Sequence, residues 1–132
     1  MKKELVIQSV PDRISEVEKF IESLRDELNF RDDAFGNVMV ATTEAVNNSI
    51  IHGNKSDDKK NVHVSCEVAG KYRLKVTVRD SGKGFDPGRL ADPTAPQNLE
   101  IPGGRGVFLM THLSDEISFR DEGRVVEMVF NI

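Results

Sequence analysis

Glu44, Asn48 and His52 recur every four residues in the stretch TTEAVNNSIIHG, residues 42–53. On an α-helix this spacing places side chains on one face, one turn apart. An ionised carboxylate can accept a proton, and an amide oxygen suits a hard cation such as Mg²⁺. The stretch contains no Lys or Arg, which a solvated helix face usually carries. Two interpretations are open at this point: a polar helix edge without function, or half of a ligand site.

Two glycine-containing segments have the composition of nucleotide-binding loops. In RDSGKGF, residues 79–85, Asp80 ends a predicted strand, and Gly82 and Gly84 would let a ligand approach the backbone. PGGRGVFLM, residues 102–110, opens a predicted helix whose free N–H groups and dipole favour phosphate. A tight turn and a lid hinge are the alternatives. Neither segment is a Walker A loop, and the second does not follow a strand in a βαβ unit, so the P-loop and Rossmann classes are excluded.

Hydrophobic periodicity predicts the elements that position these segments. The expected strands and helices, in chain order, are strand 4–10, helices 13–28 and 33–52, strands 61–69 and 72–80, helix 107–113, and strands 115–120 and 124–131. Gly53 is the expected C-terminal cap of the second helix. The order predicts an α+β two-layer sandwich, with a largely antiparallel mixed sheet and about three helices on one face. The long loop rich in Pro and Gly at 81–106 is typical of a functional lid.

The composition predicts a single domain, residues 1–132, without a membrane span. Hydrophobic residues make up 38% and charged residues 30% of the chain, and no apolar run approaches the roughly 20 residues that a span requires. A net charge of −4 argues against a general nucleic-acid binder. Cys66 is the only cysteine, which fits a reducing cytoplasm, and its alternation with Val64 and Val68 predicts a buried strand position. The histidines are scattered, so no His/Cys metal cluster is expected.

The ordered combination of motifs is more specific than its parts. A helical Glu-x-x-x-Asn, an Asp-x-Gly-x-Gly after a strand, a lid, and a Gly-x-Gly opening a helix resemble the motif set of the Bergerat-type (GHKL) ATP-binding superfamily. Within it, EAVNNSIIHGN at 44–54 and GGRGVFLM at 103–110 most resemble the bacterial anti-sigma factor serine/threonine kinases. The resemblance spans residues 4–130.

This resemblance implies roles for individual residues. Asn48 would coordinate the Mg²⁺ that bridges the ATP phosphates, and Glu44 would be the general base for the attacking hydroxyl. His52 would approach phosphate, with an ordinary histidine at a helix end as the open alternative. Asp80 would accept a hydrogen bond from the adenine amino group, which would select adenine over guanine.

The remaining ATP-binding positions lie around the lid, expected at about 85–104. Gly82 and Gly84 would let the base approach the backbone. Gly104 and Gly106 would hold phosphates through their amides, with Arg105 and Val107 completing the predicted set. Family members often carry Gly-Thr near the last strand, whereas this chain has Gly123-Arg124. No nucleotide role is therefore predicted for residues 123–125.

The resemblance also implies partners. The protein would phosphorylate an anti-anti-sigma factor with a STAS-type domain and would sequester a sigma factor, as a cytoplasmic homodimer that contacts neither nucleic acid nor membrane. The alternative is a non-catalytic, ATP-sensing module of the same fold. Glu44 favours the kinase, because a pure sensor needs no base. A histidine kinase catalytic domain is less favoured, because no dimerisation helix pair with a phosphorylatable histidine is recognised.

Overall fold

Five strands and three α-helices are described in the computed structural model, which covers residues 1–81 and 104–132, without the side chains of 104–106 and 122. The elements, in chain order, are β1 (Lys2–Gln8), α1 (Ile14–Leu28), α2 (Asp32–Asn48), β2 (Asn61–Val68), β3 (Arg73–Arg79), α3 (Gly104–Leu113), β4 (Glu116–Arg120) and β5 (Val125–Asn131). Each matches a predicted element within a few residues. No helix in the described part of the chain is long and apolar enough to cross a membrane.

The strands form one sheet in the order β1-β2-β3-β5-β4, and every pairing between the described strands is antiparallel. Alternate residues of the central strands are buried, because successive side chains of a strand point to opposite faces. On β2 these are Val62, Val64 and Cys66, and the register places Val64 opposite Val78 and Cys66 opposite Val76 on β3. Burial raises the pKa of the Cys66 thiol to about 12, so the thiol stays protonated and unreactive.

The helices pack on one face of this sheet and complete the predicted α+β sandwich. Helix α1 contributes Val17, Ile21 and Leu24 to the core at helical spacing. Helix α2 contacts α1, α3, β3 and β5, and is therefore buried over a wide arc of its surface. The buried side chains of this helix are Ala34, Val38, Ala41, Thr42, Ala45, Val46 and Asn48. The small alanines extend the buried arc from the apolar core stripe to the edge on which Asn48 lies.

The second helix ends differently from the sequence prediction. Regular α-helix stops at Asn48, and residues Ser49–Gly53 form one π turn in which the Asn54 N–H donates to the Ser49 carbonyl at 2.8 Å. Gly53 is therefore inside the turn, and the prediction that it caps the helix is wrong. A glycine cap adopts a left-handed φ. Among the described glycines, only Gly70 and Gly123 have positive φ.

Candidate nucleotide site

The last two turns of α2 carry the predicted base and the predicted metal ligand. Glu44 is half-buried, whereas Asn48 is only 6% exposed. Neither side chain forms a hydrogen bond or ion pair with another described residue. Among the described residues, the Thr42 hydroxyl is the only fully buried side-chain polar atom without a hydrogen-bond partner. The Asn48 amide is thus held by packing while its polar end still reaches solvent, as a ligand-binding amide requires.

The π turn after Asn48 sets the position of His52. A π turn closes i→i+5 hydrogen bonds, so it advances each residue through a smaller angle than an α-helix does. A helical wheel drawn at about 100° per residue therefore stops being valid at Asn48. His52 lies within the turn and is half-buried. Single π turns inserted in helices occur frequently at functional sites.

Burial, and secondarily the positive charge of Lys55, lowers the pKa of His52 below its ordinary value of 6.5. The neutral imidazole is therefore favoured near neutral pH. It can donate one hydrogen bond to a phosphate, but it does not supply a fixed positive charge.

His52 also predicts a pH dependence of folding. Its pKa is lower in the folded chain than in the unfolded chain, so the unfolded state binds the proton more readily. The stabilising contribution is present above pH 6.5 and is lost as the pH falls below that value. We expect the thermal unfolding midpoint to fall between pH 7 and 5, and we expect His52→Gln to flatten this slope. His63→Gln, at an exposed strand position, is the control that should leave the slope intact; equal slopes in His52→Gln and wild type would contradict the assignment.

The turn brings Gly53 against the side chain of Asp80. A Cβ atom built on Gly53 would overlap the Asp80 carboxylate group, so only glycine fits at this position without moving the carboxylate. Asp80 is 6% exposed and directly follows β3. Asp80 is distant in sequence from Glu44 and Asn48, yet this contact places the π turn that follows α2 beside the end of β3.

Two backbone hydrogen bonds fix the chain at Asp80. Its N–H donates to the Arg124 carbonyl at 2.9 Å, and the N–H of Ser81 donates to the side-chain Oδ1 of Asn54 at 2.9 Å. Residue 124 therefore supports the predicted adenine position through its backbone, whatever its side chain. The Arg124 side chain donates from Nε to the Asp121 carbonyl at 3.0 Å.

The second glycine motif lies at the start of α3. The helix begins at Gly104, so Gly104, Arg105 and Gly106 occupy its first turn, whose N–H groups lack intrahelical acceptors. The prediction that this helix starts at residue 107 is thus three residues too late. Val107 is buried in the core, so it anchors the motif and its side chain is not available to a nucleotide. Gly82, Gly84 and most of the predicted lid lie outside the described residues.

The described residues include no group of three or more His, Cys, Asp or Glu arranged to hold a metal ion. A hard cation at this site would rely on the single amide oxygen of Asn48, together with water and phosphate oxygens. Mg²⁺ binds in this manner in many nucleotide sites, because it keeps several waters and needs few protein ligands. The donor set therefore fits a cation that arrives with a nucleotide.

Comparison with known protein families identifies the fold. The family described as "Histidine kinase-like ATPase domain" matches residues 7–130. The chain belongs to this family. The match includes the end of α2, Asp80 and the start of α3, which are the three parts of the site.

Two individual relatives indicate to which group within this family the chain is similar. A serine-protein kinase RsbW of Oceanobacillus iheyensis is 20% identical over 132 residues, covering 96% of this chain and 83% of that protein. An anti-sigma F factor of Anoxybacillus flavithermus is 30% identical over 102 residues, covering 74% of this chain and 69% of that protein. The chain therefore lies in the anti-sigma factor and serine-protein kinase group of the histidine kinase-like ATPases.

A solved structure supports the same architecture. The RsbU and RsbW domains of Rv1364c from Mycobacterium tuberculosis match 99% of this chain with a TM-score of 0.72 and 13% sequence identity. The alignment covers 32% of that longer chain, so this chain spans about a third of it. At this identity the likeness concerns the fold alone, and it agrees with the α+β sandwich described above.

Proposed function

We propose that the protein is an ATP-dependent serine/threonine kinase of the anti-sigma type. The observation that carries the proposal is the contact between Gly53 and the Asp80 carboxylate. It joins the helix that carries Glu44 and Asn48 to the strand end that carries Asp80. Glu44 and Asn48 on this helix and Asp80 at this strand end would supply a carboxylate for the base, an amide for the metal, and a carboxylate for the adenine.

At the adenine end, Asp80 accepts a hydrogen bond from the exocyclic amino group. Its backbone is fixed by the Arg124 carbonyl and by Asn54, so the carboxylate is positioned before the nucleotide arrives. A preorganised acceptor favours the adenine amino group and disfavours guanine, which has a carbonyl there. We assign Gly82 and Gly84 to the close approach of the base, following the family pattern.

At the phosphate end, Asn48 would hold Mg²⁺ through its amide oxygen, and His52 would donate a hydrogen bond to a phosphate. Bound Mg²⁺ would neutralise the charge of the phosphates. The first-turn amides of α3, at Gly104, Arg105 and Gly106, supply further N–H donors where a helix dipole favours an anion. Arg105 adds a charge-assisted contact in this proposal.

Glu44 takes the proton from the attacking serine or threonine hydroxyl. It is one helical turn from Asn48 and half-exposed, so an incoming protein substrate can reach it. Phosphoryl transfer depends mainly on positioning and on electrostatic stabilisation. Glu44 therefore needs only to orient and deprotonate a hydroxyl that the nucleotide site already holds in line.

The relatives' names support the choice of partners. Proteins named serine-protein kinase and anti-sigma F factor suggest one partner that is phosphorylated and one that is sequestered. We propose an anti-anti-sigma factor with a STAS-type domain as the substrate and a sigma factor as the bound partner. A homodimer is part of the same proposal.

The test is calorimetric titration with Mg-ATP, followed by incubation with the candidate antagonist and mass spectrometry for phosphoserine or phosphothreonine. We expect Asn48→Ala to weaken ATP binding in the presence of Mg²⁺ by about tenfold or more, because one charge-assisted contact is lost. Asn47→Ala, which removes the same side chain one residue earlier and outside the proposed site, is the matched control. If the wild-type protein does not bind ATP, the proposed nucleotide-binding function is wrong. If Asn48→Ala binds ATP as tightly as Asn47→Ala with and without Mg²⁺, the assignment of Asn48 as metal ligand is wrong.

A further inference from the structure

Asn54, directly after the π turn, has a fully buried side chain that forms three hydrogen bonds. Its Nδ2 donates to the Ser9 hydroxyl at 2.6 Å and to the Asn61 carbonyl at 3.0 Å, and its Oδ1 accepts from the Ser81 N–H at 2.9 Å. A carbonyl only accepts and a backbone amide only donates, so the orientation of the carboxamide is fixed. No other side chain of similar size offers two donors and an acceptor in this arrangement.

The chain reverses direction at Asn54, which explains how a loop residue becomes buried. Lys55 and Ser56 both adopt left-handed φ values, 56° and 55°, which residues other than glycine rarely do. The Ser56 N–H donates to the Ile50 carbonyl at 2.7 Å and thereby ties the reversal to the π turn. The Asn54 side chain then points between the end of β1 and the start of β2.

The three bonds of Asn54 connect the fold to the candidate site. Ser9 follows β1, Asn61 begins β2, and Ser81 is the residue after Asp80. The preceding residue, Gly53, lies against the Asp80 carboxylate. Adjacent residues of one turn therefore fix Asp80 in two ways, Gly53 by contact with the carboxylate and Asn54 through the next backbone amide.

We propose that Asn54 is a positioning residue for adenine recognition, an inference that rests on the nucleotide-binding function proposed above. Asn54 does not touch the base. It holds the Ser81 amide and so fixes the direction of the chain as it leaves Asp80. The Arg124 carbonyl restrains the Asp80 amide from the other side, at 2.9 Å. Without Asn54 the Ser81 amide loses its acceptor, so the direction of the chain as it leaves Asp80 is no longer fixed from this side.

A purely structural role for Asn54 predicts a different result, and Ser9 separates the two roles. Ser9 is fully buried and accepts one of the Asn54 bonds, but it forms no hydrogen bond with Ser81 among the described residues. Ser9→Ala removes the bond to the end of β1 and leaves the bond from Asn54 to the Ser81 amide in place. Ser9→Ala is therefore the matched control, because it should lower the stability of the fold without changing how Asn54 holds the Ser81 amide.

The experiment measures the affinities of wild type, Asn54→Ala and Ser9→Ala for Mg-ATP and Mg-GTP, at a temperature at which circular dichroism shows all three folded. We expect both variants to lower the thermal unfolding midpoint. Asn54→Ala should reduce the preference for ATP over GTP by about tenfold, as expected for the loss of one positioning bond. Ser9→Ala should leave this preference unchanged.

An unchanged preference in Asn54→Ala, or an equal loss in Ser9→Ala, overturns the proposed role while nucleotide binding itself stands. Failure of the wild type to bind either nucleotide overturns the proposed function and this inference together. If Asn54→Ala does not fold, amide hydrogen exchange of the wild type without nucleotide tests whether the bond from the Ser81 amide to Asn54 restrains the chain. Exchange of the Ser81 amide about tenfold or more below the rate of an unstructured peptide supports the proposal, and exchange at that rate overturns it.

Discussion

Gly53→Ala is expected to reduce phosphoryl-transfer efficiency, measured as kcat/KM for ATP, by about a hundredfold, while changing stability little. The added Cβ would overlap the Asp80 carboxylate, which must therefore move away from its position. The backbone of residue 53 needs no left-handed φ, so alanine is compatible with the turn itself. The affected atoms belong to the end of a side chain, which can rotate at modest cost to folding. The effect should therefore fall on nucleotide recognition and appear mainly in KM.

Gly36→Ala is the matched control for this substitution. Gly36 lies in α2, the helix that precedes the π turn, and a Cβ at that position would meet nothing within 4 Å. Because alanine favours helix over glycine, Gly36→Ala should raise the unfolding midpoint and leave ATP use unchanged. A double-mutant cycle with Asp80→Ala completes the test, since Gly53→Ala should cost little once the carboxylate is gone. Full activity of Gly53→Ala, or an undiminished loss in the Asp80→Ala background, would refute the steric explanation.

Most of the fold follows from periodicity, because burial on one face leaves a strong signal in the sequence. The alternation of Val64, Cys66 and Val68 predicts a buried strand position for Cys66, and the structure buries Val64 and Cys66 and leaves Val68 half-buried. Hydrophobic periodicity likewise predicts the helix over 13–28, and the structure has α1 with Val17, Ile21 and Leu24 buried at helical spacing. These patterns are local, and each reports directly on the environment of its own segment.

The details of the site depend on contacts that the sequence does not encode locally. From the sequence, Gly53 is expected to cap the second helix, because a glycine after a helix usually supplies a residue with a left-handed φ. Its actual constraint comes from Asp80, which lies far along the chain, and no local pattern reports such a contact. The sequence gives no comparable indication for Asn54, since a buried loop asparagine resembles an ordinary turn residue in sequence. A polar residue directly after the helix motif was the only available signal.

The motif residues themselves were easier to predict, because their spacing follows the helix. Glu44 and Asn48 do lie one turn apart near the end of α2, as their four-residue spacing requires. The spacing did not predict the difference in burial between them. Asn48 lies at the edge of the arc that α2 buries against α1, α3 and the sheet, while Glu44 lies beyond it. Their proposed roles rest on the family pattern. The role of Glu44 as general base has the larger expected effect on activity.

Glu44→Gln is expected to leave Mg-ATP binding close to wild type and to lower the rate of phosphorylation of the antagonist by about a hundredfold to ten-thousandfold. Glutamine has nearly the same shape and cannot accept the proton from the attacking hydroxyl. Because Glu44 is half-exposed and forms no hydrogen bond or ion pair with the described residues, the substitution should not disturb the fold. Single-turnover transfer at saturating ATP isolates the chemical step from nucleotide binding, and Asn47→Ala serves again as the neighbouring control.

The same measurement separates the kinase from the ATP-sensing module of the same fold. A sensor binds ATP and changes its affinity for a partner, but it transfers no phosphoryl group, so Glu44→Gln would leave its behaviour unchanged. A kinase retains ATP binding in Glu44→Gln and loses transfer. If the variant phosphorylates the antagonist at the wild-type rate, Glu44 is not the base. If even wild type leaves the antagonist unmodified while binding ATP, the exposed carboxylate beside Asn48 only lines a switch, and the ATP-sensing alternative replaces the kinase.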